Sequence, residues 1–119
     1  MDEYIEEPFN EEEFKNQIIE EKLKKIFDPE IPVNIYDLGL IYNVVVDKTH
    51  NYIAVTIDMT LTSPACPVAE ALLDQVKSAV ESLEKVDSCR VELVFDPPWT
   101  KEKISEDGNL ELMLSGMVL

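Results

Sequence analysis

The sequence predicts a small two-layer α+β domain in which helices pack on one face of a mixed sheet. Apolar residues recur at helical spacing over 14–27 and again over 68–83. Apolar and polar residues alternate over 52–61, which is typical of a half-buried strand. A chain of 119 residues is long enough for one domain and too short for two. The expected order is helix, β-hairpin, helix and strand.

The composition excludes several classes of partner. Asp and Glu number 25 against 10 Lys and Arg, so the formal net charge is −15. Binding to nucleic acid or to an anionic membrane surface depends on Lys and Arg, and this charge opposes both. No apolar run approaches the ~20 residues that span a bilayer. We therefore expect a soluble, cytoplasmic protein with a flexible acidic tail over 1–13 and a single domain over 14–119.

The first helix follows the acidic tail. Asn10 with Glu13 three residues later predicts an N-cap, and the acids suit the positive end of a helix. Apolar spacing extends the predicted helix over about 11–27, where Asp28-Pro29 stops it. Residues 28–37 contain two prolines and no period, so we expect an ordered loop.

A β-hairpin is predicted next. Its strands flank the polar segment 48–51, which predicts the turn and sets Asp47 opposite Tyr52. In that register two further pairs lie side by side at the other end of the hairpin, Gly39 with Thr60 and Asp37 with Thr62.

A second helix and a third strand complete the sheet. Pro67 suits the first position of the helix, because its missing N–H is not needed there. The helix is expected to bury one stripe: Val68, Leu72, Val76, Ala79, Val80 and Leu83. A strand over about 89–95 should run parallel to the second hairpin strand. A short helix is predicted near 103–114, although Gly108 weakens that pattern.

Three proline-rich segments are expected to meet at one edge of this sheet. They are 28–39, 60–67 and 96–99. The first precedes the hairpin, the second follows it, and the third follows the parallel strand, so the topology brings all three to the same end. Loops on one edge of a scaffold commonly hold the functional residues.

Cys66 is the most informative residue in these loops. It precedes Pro67, so it should occupy the N-cap of the second helix, where the helix dipole lowers the pKa of a thiol. A thiolate is both a nucleophile and a soft metal ligand, whereas the alternative is a small buried residue. Cys89 is predicted to be core, and His50 lies in the hairpin turn at the opposite end. A zinc or iron–sulfur site needs about four ligands, so a cluster at Cys66 would be shared with a second subunit, a partner or a small thiol.

Other residues of the three segments have two interpretations each. Acidic residues of the first segment could support a metal site or cap local turns: Asp28, Glu30 and Asp37. Thr60 and Thr62 could orient the cysteine loop through their hydroxyl groups, or could simply favour a strand. Trp99 could anchor a partner or cover the core.

The segments DPEIPVNIYDLGLIY, TLTSPACP and DPPW together resemble the SufT-like family of iron–sulfur cluster assembly accessory proteins. That family is similar to the phenylacetate-degradation PaaD component and to the eukaryotic cytosolic iron–sulfur targeting factor. The resemblance covers roughly 19–105 and implies a small α/β domain that is not an enzyme. By position it implies these roles: Cys66 as iron or cluster ligand; Asp28, Pro29, Glu30, Asp37, Leu38, Gly39, Thr60, Thr62 and Pro64 as the surrounding motif; and Pro97, Pro98 and Trp99 as the third segment.

The resulting hypothesis is an accessory factor in iron–sulfur cluster assembly or transfer, with Cys66 as a labile ligand of iron or a cluster. Its expected partners are the assembly machinery and client apoproteins, and a homodimer would supply two Cys66 thiolates. The alternative is a metal-independent adaptor that docks clients around Trp99. An enzyme with Cys66 as nucleophile would lack an adjacent base.

Overall fold

The structure is a computed structural model that describes residues 9–62 and 69–116. Its helices and strands are α1 (Glu11–Glu21), β1 (Ile41–Thr49), β2 (Tyr52–Met59), α2 (Ala69–Glu81), β3 (Ser88–Leu93) and α3 (Glu106–Ser115), with short 3₁₀ turns at Leu23–Lys25 and Lys101–Lys103. The sheet has the order β1-β2-β3, with β1 antiparallel and β3 parallel to β2. The predicted α+β class and the mixed sheet are confirmed.

Helix α1 begins where the sequence predicts and ends earlier. The side chain of Asn10 accepts a hydrogen bond from the backbone N–H of Glu13 at 3.0 Å, as expected for the N-cap. The helix stops six residues before the predicted end, because Lys22 leaves the helical conformation with φ −121°. Leu23 and Ile26 nevertheless remain buried: Leu23 lies in a 3₁₀ turn, and Ile26 has an extended backbone. The apolar spacing therefore identified Leu23 and Ile26 correctly as buried but assigned them the wrong backbone, and Phe27, the last residue of the predicted pattern, is exposed.

The hairpin turn is tighter than predicted. Thr49 pairs with Tyr52, so only His50 and Asn51 lie in the turn, and His50 adopts a positive φ of 55°. The predicted pairing of Asp47 with Tyr52 is wrong. Strand β1 continues two residues further into the polar segment, to Thr49, because a two-residue loop closes a hairpin with matched strand twist.

A bulge in β1 shifts the register before it reaches the loop end. Ile41 pairs with Met59 and Asn43 with Asp58, so Tyr42 is the extra residue. As a result Leu40, and not Gly39, accepts the hydrogen bond from the backbone N–H of Thr60, at 2.8 Å. The predicted pairing of Thr60 with Gly39 is therefore wrong by one residue.

One face of the sheet forms the core with the helices. Val55 and Ile57 of β2 point to this face, and Cys89 of β3 pairs with Val55 and is buried there. The helices contribute these buried residues: Phe14 and Ile18 from α1, and Leu72, Val76 and Val80 from α2. Leu83 is also buried and Ala79 is half-buried, as the predicted stripe requires. The predicted start of this helix, Pro67 and Val68, lies outside the described residues.

The C-terminal helix α3 starts three residues later than predicted, after a 3₁₀ turn. Ser105 is its N-cap, and Gly116 ends it with a left-handed φ of 80°. Gly108, which weakened the helical pattern, is buried within the first turns. Strand β3 likewise ends at Leu93, two residues before the predicted end.

Candidate functional site at the loop edge

The segments predicted to meet at one end of the sheet do so in the described residues. We call residues 28–40, 60–62 and 96–99 the loop edge. Besides the Thr60–Leu40 bond, the indole N–H of Trp99 donates to the carbonyl of Leu38 at 2.7 Å. The hydroxyl of Tyr42, at the bulge, donates to the carbonyl of Pro97 at 2.7 Å. Three separate segments are thereby tied together by direct hydrogen bonds.

Asp28 holds the start of the loop edge in shape. Its Oδ1 accepts from the backbone N–H groups of Glu30 at 2.8 Å and Ile31 at 3.0 Å. This is an Asx turn, in which a side-chain oxygen replaces a backbone carbonyl. Glu30 itself is exposed. The capping interpretation of Asp28 is therefore satisfied by its own neighbours, and a role of Asp28 or Glu30 at a metal stays a prediction.

Asp37 is buried, and both of its carboxylate oxygens accept hydrogen bonds. Oδ2 accepts from the side-chain amide of Asn34 at 2.8 Å, and Oδ1 accepts from the hydroxyl of Ser105 at 2.9 Å. The backbone carbonyl of Asp37 also accepts from the N–H of Ser105 at 2.8 Å. The Ser105 hydroxyl in turn accepts from the N–H of Gly108 at 3.0 Å, so one network links the loop edge to the first turn of α3.

Two glycines allow this close approach. Gly39 has a φ of +88°, and a Cβ there would lie 2.4 Å from the carbonyl oxygen of Lys103. A Cβ at Gly108 would lie 2.7 Å from Ile104 Cγ2 and 2.8 Å from the carbonyl oxygen of Asp37. Both positions are therefore closed to any larger residue without a shift of the backbone. The glycine that looked unfavourable in a helix is what lets α3 sit against Asp37.

Thr60 leads into the cysteine segment and is 1% exposed. Within the described part of the chain its Oγ1 has no hydrogen-bond partner, which is costly for a buried hydroxyl. Burial raises the pKa of the neighbouring Tyr42. Thr62 is half-exposed. Pro64 and Cys66 lie outside the described residues.

Trp99 is only partly exposed and packs against the core. Together with its bond to Leu38, this position fits the interpretation in which it covers the core. Pro97 and Pro98 are exposed beside it, and Phe95 is 46% exposed. A role of this segment in partner binding stays a prediction.

The remaining soft ligands of the chain lie elsewhere. Cys89 is a free, buried thiol, and burial together with the charge of Glu81 raises its pKa to about 11. It pairs with Val55, about 13 Å along β2 from the strand end at Met59. His50 is exposed in the hairpin turn at the far end, as predicted. Across residues 9–62 and 69–116, no three His, Cys, Asp or Glu residues lie together as a metal site would require.

Comparison with known proteins decides the family. Residues 16–93 match the family model described as iron–sulfur cluster assembly protein. The chain belongs to this iron–sulfur cluster assembly family. The resemblance seen in the sequence motifs is confirmed. The matched range includes the loop edge from Asp28 to Thr62 and the cysteine segment, and it ends before Trp99 and α3.

Named relatives of this iron–sulfur cluster assembly family member are similar over most of its length. It is 48% identical to an Fe-S protein maturation auxiliary factor of Porphyromonas gingivalis, over 76% of this chain and 83% of that protein. It is 38% identical to the maturation auxiliary factor SufT of Staphylococcus aureus, over 76% of this chain and 99% of that protein. A domain of unknown function from Bacillus anthracis has the same fold, with a TM-score of 0.76 and 35% identity over 87% of this chain and 94% of that one.

Sequence reasoning missed three residues that hold the loop edge together: Asn34, Tyr42 and Ser105. The spacing of Asn34 and Asp37 was a signal for a turn, and Ser105 three residues before Gly108 was a signal for an N-cap. Nothing in the sequence indicated that these two local motifs bind each other. Separately, none of the described helices is both long and apolar enough to cross a membrane.

Proposed function

We propose that this protein is an accessory factor in iron–sulfur cluster assembly or transfer, and that Cys66 is the labile ligand of the iron or cluster it handles. The family match and the names of its relatives support the general role. The structural observation that favours Cys66 is the placement of the other cysteine and the one histidine of the sequence. Cys89 is a buried thiol with its pKa near 11, and His50 lies at the opposite end of the hairpin.

A single thiolate makes this a weak site. Iron–sulfur clusters are held by about four thiolates, so Cys66 would share its cargo with a second subunit, a partner protein or a small thiol. Weak ligation is useful to a factor that must release the cluster to a client. The cluster is cargo in this proposal, and the protein's own residues hold it briefly.

The rest of the loop edge would shape and support the cysteine segment. The hydroxyl of Thr60 has no hydrogen-bond partner among residues 9–62 and 69–116, and it would donate to the segment that leads to Cys66, six residues later, or to the cargo held there. Asp37 would act as a positioning residue, because both of its oxygens already accept hydrogen bonds from Asn34 and Ser105. Asp28, Glu30, Gly39, Thr62 and Pro64 complete the proposed support.

Partners and location follow from the same role. We expect the assembly machinery and client apoproteins as partners, a cytoplasmic location and no catalytic activity. A homodimer would bring two Cys66 thiolates to one cluster.

A second function, the metal-independent adaptor, rests on exposed residues at the same edge. Phe95, Pro97 and Pro98 are exposed beside the partly buried Trp99. If clients dock there, the double substitution Pro97→Ser and Phe95→Ser should weaken client capture more than Cys66→Ala does.

Anaerobic reconstitution with iron and sulfide tests the Cys66 proposal. Wild-type protein, Cys66→Ala and the matched control Cys89→Ala are compared by absorption spectroscopy and gel filtration. We expect cluster absorption in the wild type and in Cys89→Ala and its loss in Cys66→Ala. Equal absorption in all three would overturn the assignment of the ligand, and absence of absorption in all three would favour the adaptor.

A further inference from the structure

Helix α3 presents an apolar stripe to solvent. Leu110, Met113 and Leu114 are 52%, 74% and 79% exposed, and they are three of the seven large apolar residues that are exposed in the described chain. Their spacing of three and four residues puts them on one face of the helix. Exposed apolar residues scattered singly are ordinary, but a contiguous set on one helix face marks an interaction surface.

The opposite face of α3 is fixed to the domain. Gly108 and Leu112 are buried, and at 100° per residue they lie across the helix axis from the stripe. Ser105 ties the start of the helix to Asp37 through its hydroxyl and its backbone N–H. The stripe is therefore held in a defined orientation and does not turn inward to the core.

The charges around the stripe specify what could cover it. Glu106, Asp107 and Glu111 are exposed on the same helix, and the helix contains no Lys or Arg. A second copy of this chain would bring the same acids and a further charge of −15 against them. An anionic bilayer would also be repelled, because helices that bind membrane surfaces have Lys and Arg on their polar face.

We propose that α3 is a docking surface for an amphipathic helix of a partner protein, with Lys or Arg flanking the partner's own apolar stripe. Two helices that pack along their apolar stripes bury Leu and Met side chains between them. The basic flanks would pair with Asp107 and Glu111 and set the orientation. This surface lies outside the residues of the loop edge, and it requires neither iron nor a cluster.

A synthetic amphipathic peptide of Leu and Lys, about four helical turns long, serves as the probe at physiological ionic strength. Binding is measured by fluorescence anisotropy to wild type and to Leu110→Ser/Leu114→Ser. The matched control is Val45→Ser/Tyr52→Ser, which removes two exposed apolar residues from the open face of the sheet. All three proteins have the same net charge, so a difference reports the apolar surface.

We expect about tenfold weaker binding for the α3 variant and less than about twofold change for the sheet variant. Circular dichroism and urea unfolding confirm that each variant is folded. Equal weakening in both variants would show that the peptide binds the acidic protein without using α3, and would overturn the proposal. Sedimentation that shows a dimer abolished by Leu110→Ser/Leu114→Ser would assign the stripe to a second copy and would also overturn it.

Discussion

Replacement of Ser105 should destabilise the protein far more than a partly exposed serine ordinarily would. Its hydroxyl accepts from the N–H of Gly108 as the N-cap of α3 and donates to the buried carboxylate of Asp37. Loss of an N-cap costs about 1 kcal/mol, and loss of a hydrogen bond to a charged group costs about 1.5–3 kcal/mol. For Ser105→Ala we therefore expect the free energy of unfolding to fall by about 2.5–4 kcal/mol.

Urea unfolding followed by circular dichroism measures this loss as a lower midpoint at an unchanged slope. The matched control is Ser115→Ala, because the Ser115 hydroxyl bonds, among the described residues, only to the carbonyl of Leu112 near the end of the same helix. That change should cost less than about 1 kcal/mol.

Two further substitutions separate the cap from the network. Ser105→Thr keeps both hydrogen bonds and should be close to wild type. Ser105→Asp is as good an N-cap as serine, but it would face the carboxylate of Asp37 with a second negative charge and no donor at neutral pH. We expect it to be at least as unstable as Ser105→Ala. An aspartate variant as stable as the wild type would refute the reasoning, because only the cap would then matter.

Three other predictions test the packing described above. Gly39→Ala should lower the free energy of unfolding by about 3 kcal/mol or more in thermal unfolding, because φ is positive there and the new Cβ would collide with the carbonyl of Lys103. Gly116→Ala also has a positive φ but open space around it, so it should cost only about 1–2 kcal/mol. Trp99→Phe should lower stability by about 1 kcal/mol through loss of the indole hydrogen bond, again by thermal unfolding; no change would argue against that bond. Because the pKa of Cys89 is raised to about 11, its neutral thiol stabilises the fold below the ordinary pKa near 9, and this contribution is lost as the pH rises from 9 to about 11. The difference in the free energy of unfolding between wild type and Cys89→Ala should therefore shrink between these two pH values. A constant difference would contradict the assignment.

The core and sheet were largely predictable because their pattern is local. Alternation along β2 placed every second residue on one buried face: Ile53, Val55, Ile57 and Met59. The chain order predicted that β3 is parallel to β2. The register between β1 and β2 was harder to predict. A two-residue turn and a bulge at Tyr42 each shift the pairing, and neither follows from alternation alone.

The loop edge shows where sequence reasoning ends. Asp37 could be seen as a turn residue, but its bond to Ser105 joins residues 68 positions apart. Gly108 appeared unfavourable in a helix, whereas its lack of a side chain allows the backbone carbonyl of Asp37 to lie against α3. Helix α3 has apolar residues on both faces, so its pattern gave no clear period. Such features depend on tertiary contacts that a single sequence does not contain.

Transfer of a cluster to an acceptor tests the central claim most directly. Wild-type protein loaded with iron and sulfide is mixed anaerobically with an apo-ferredoxin in the presence of an iron chelator, and the acceptor's spectrum is followed over time. Labile ligation by Cys66 predicts that the holo-ferredoxin spectrum appears as the donor loses its absorption, and that a Cys66→Ala sample treated identically transfers nothing. Maturation of the ferredoxin by Cys66→Ala at the wild-type rate would contradict the account.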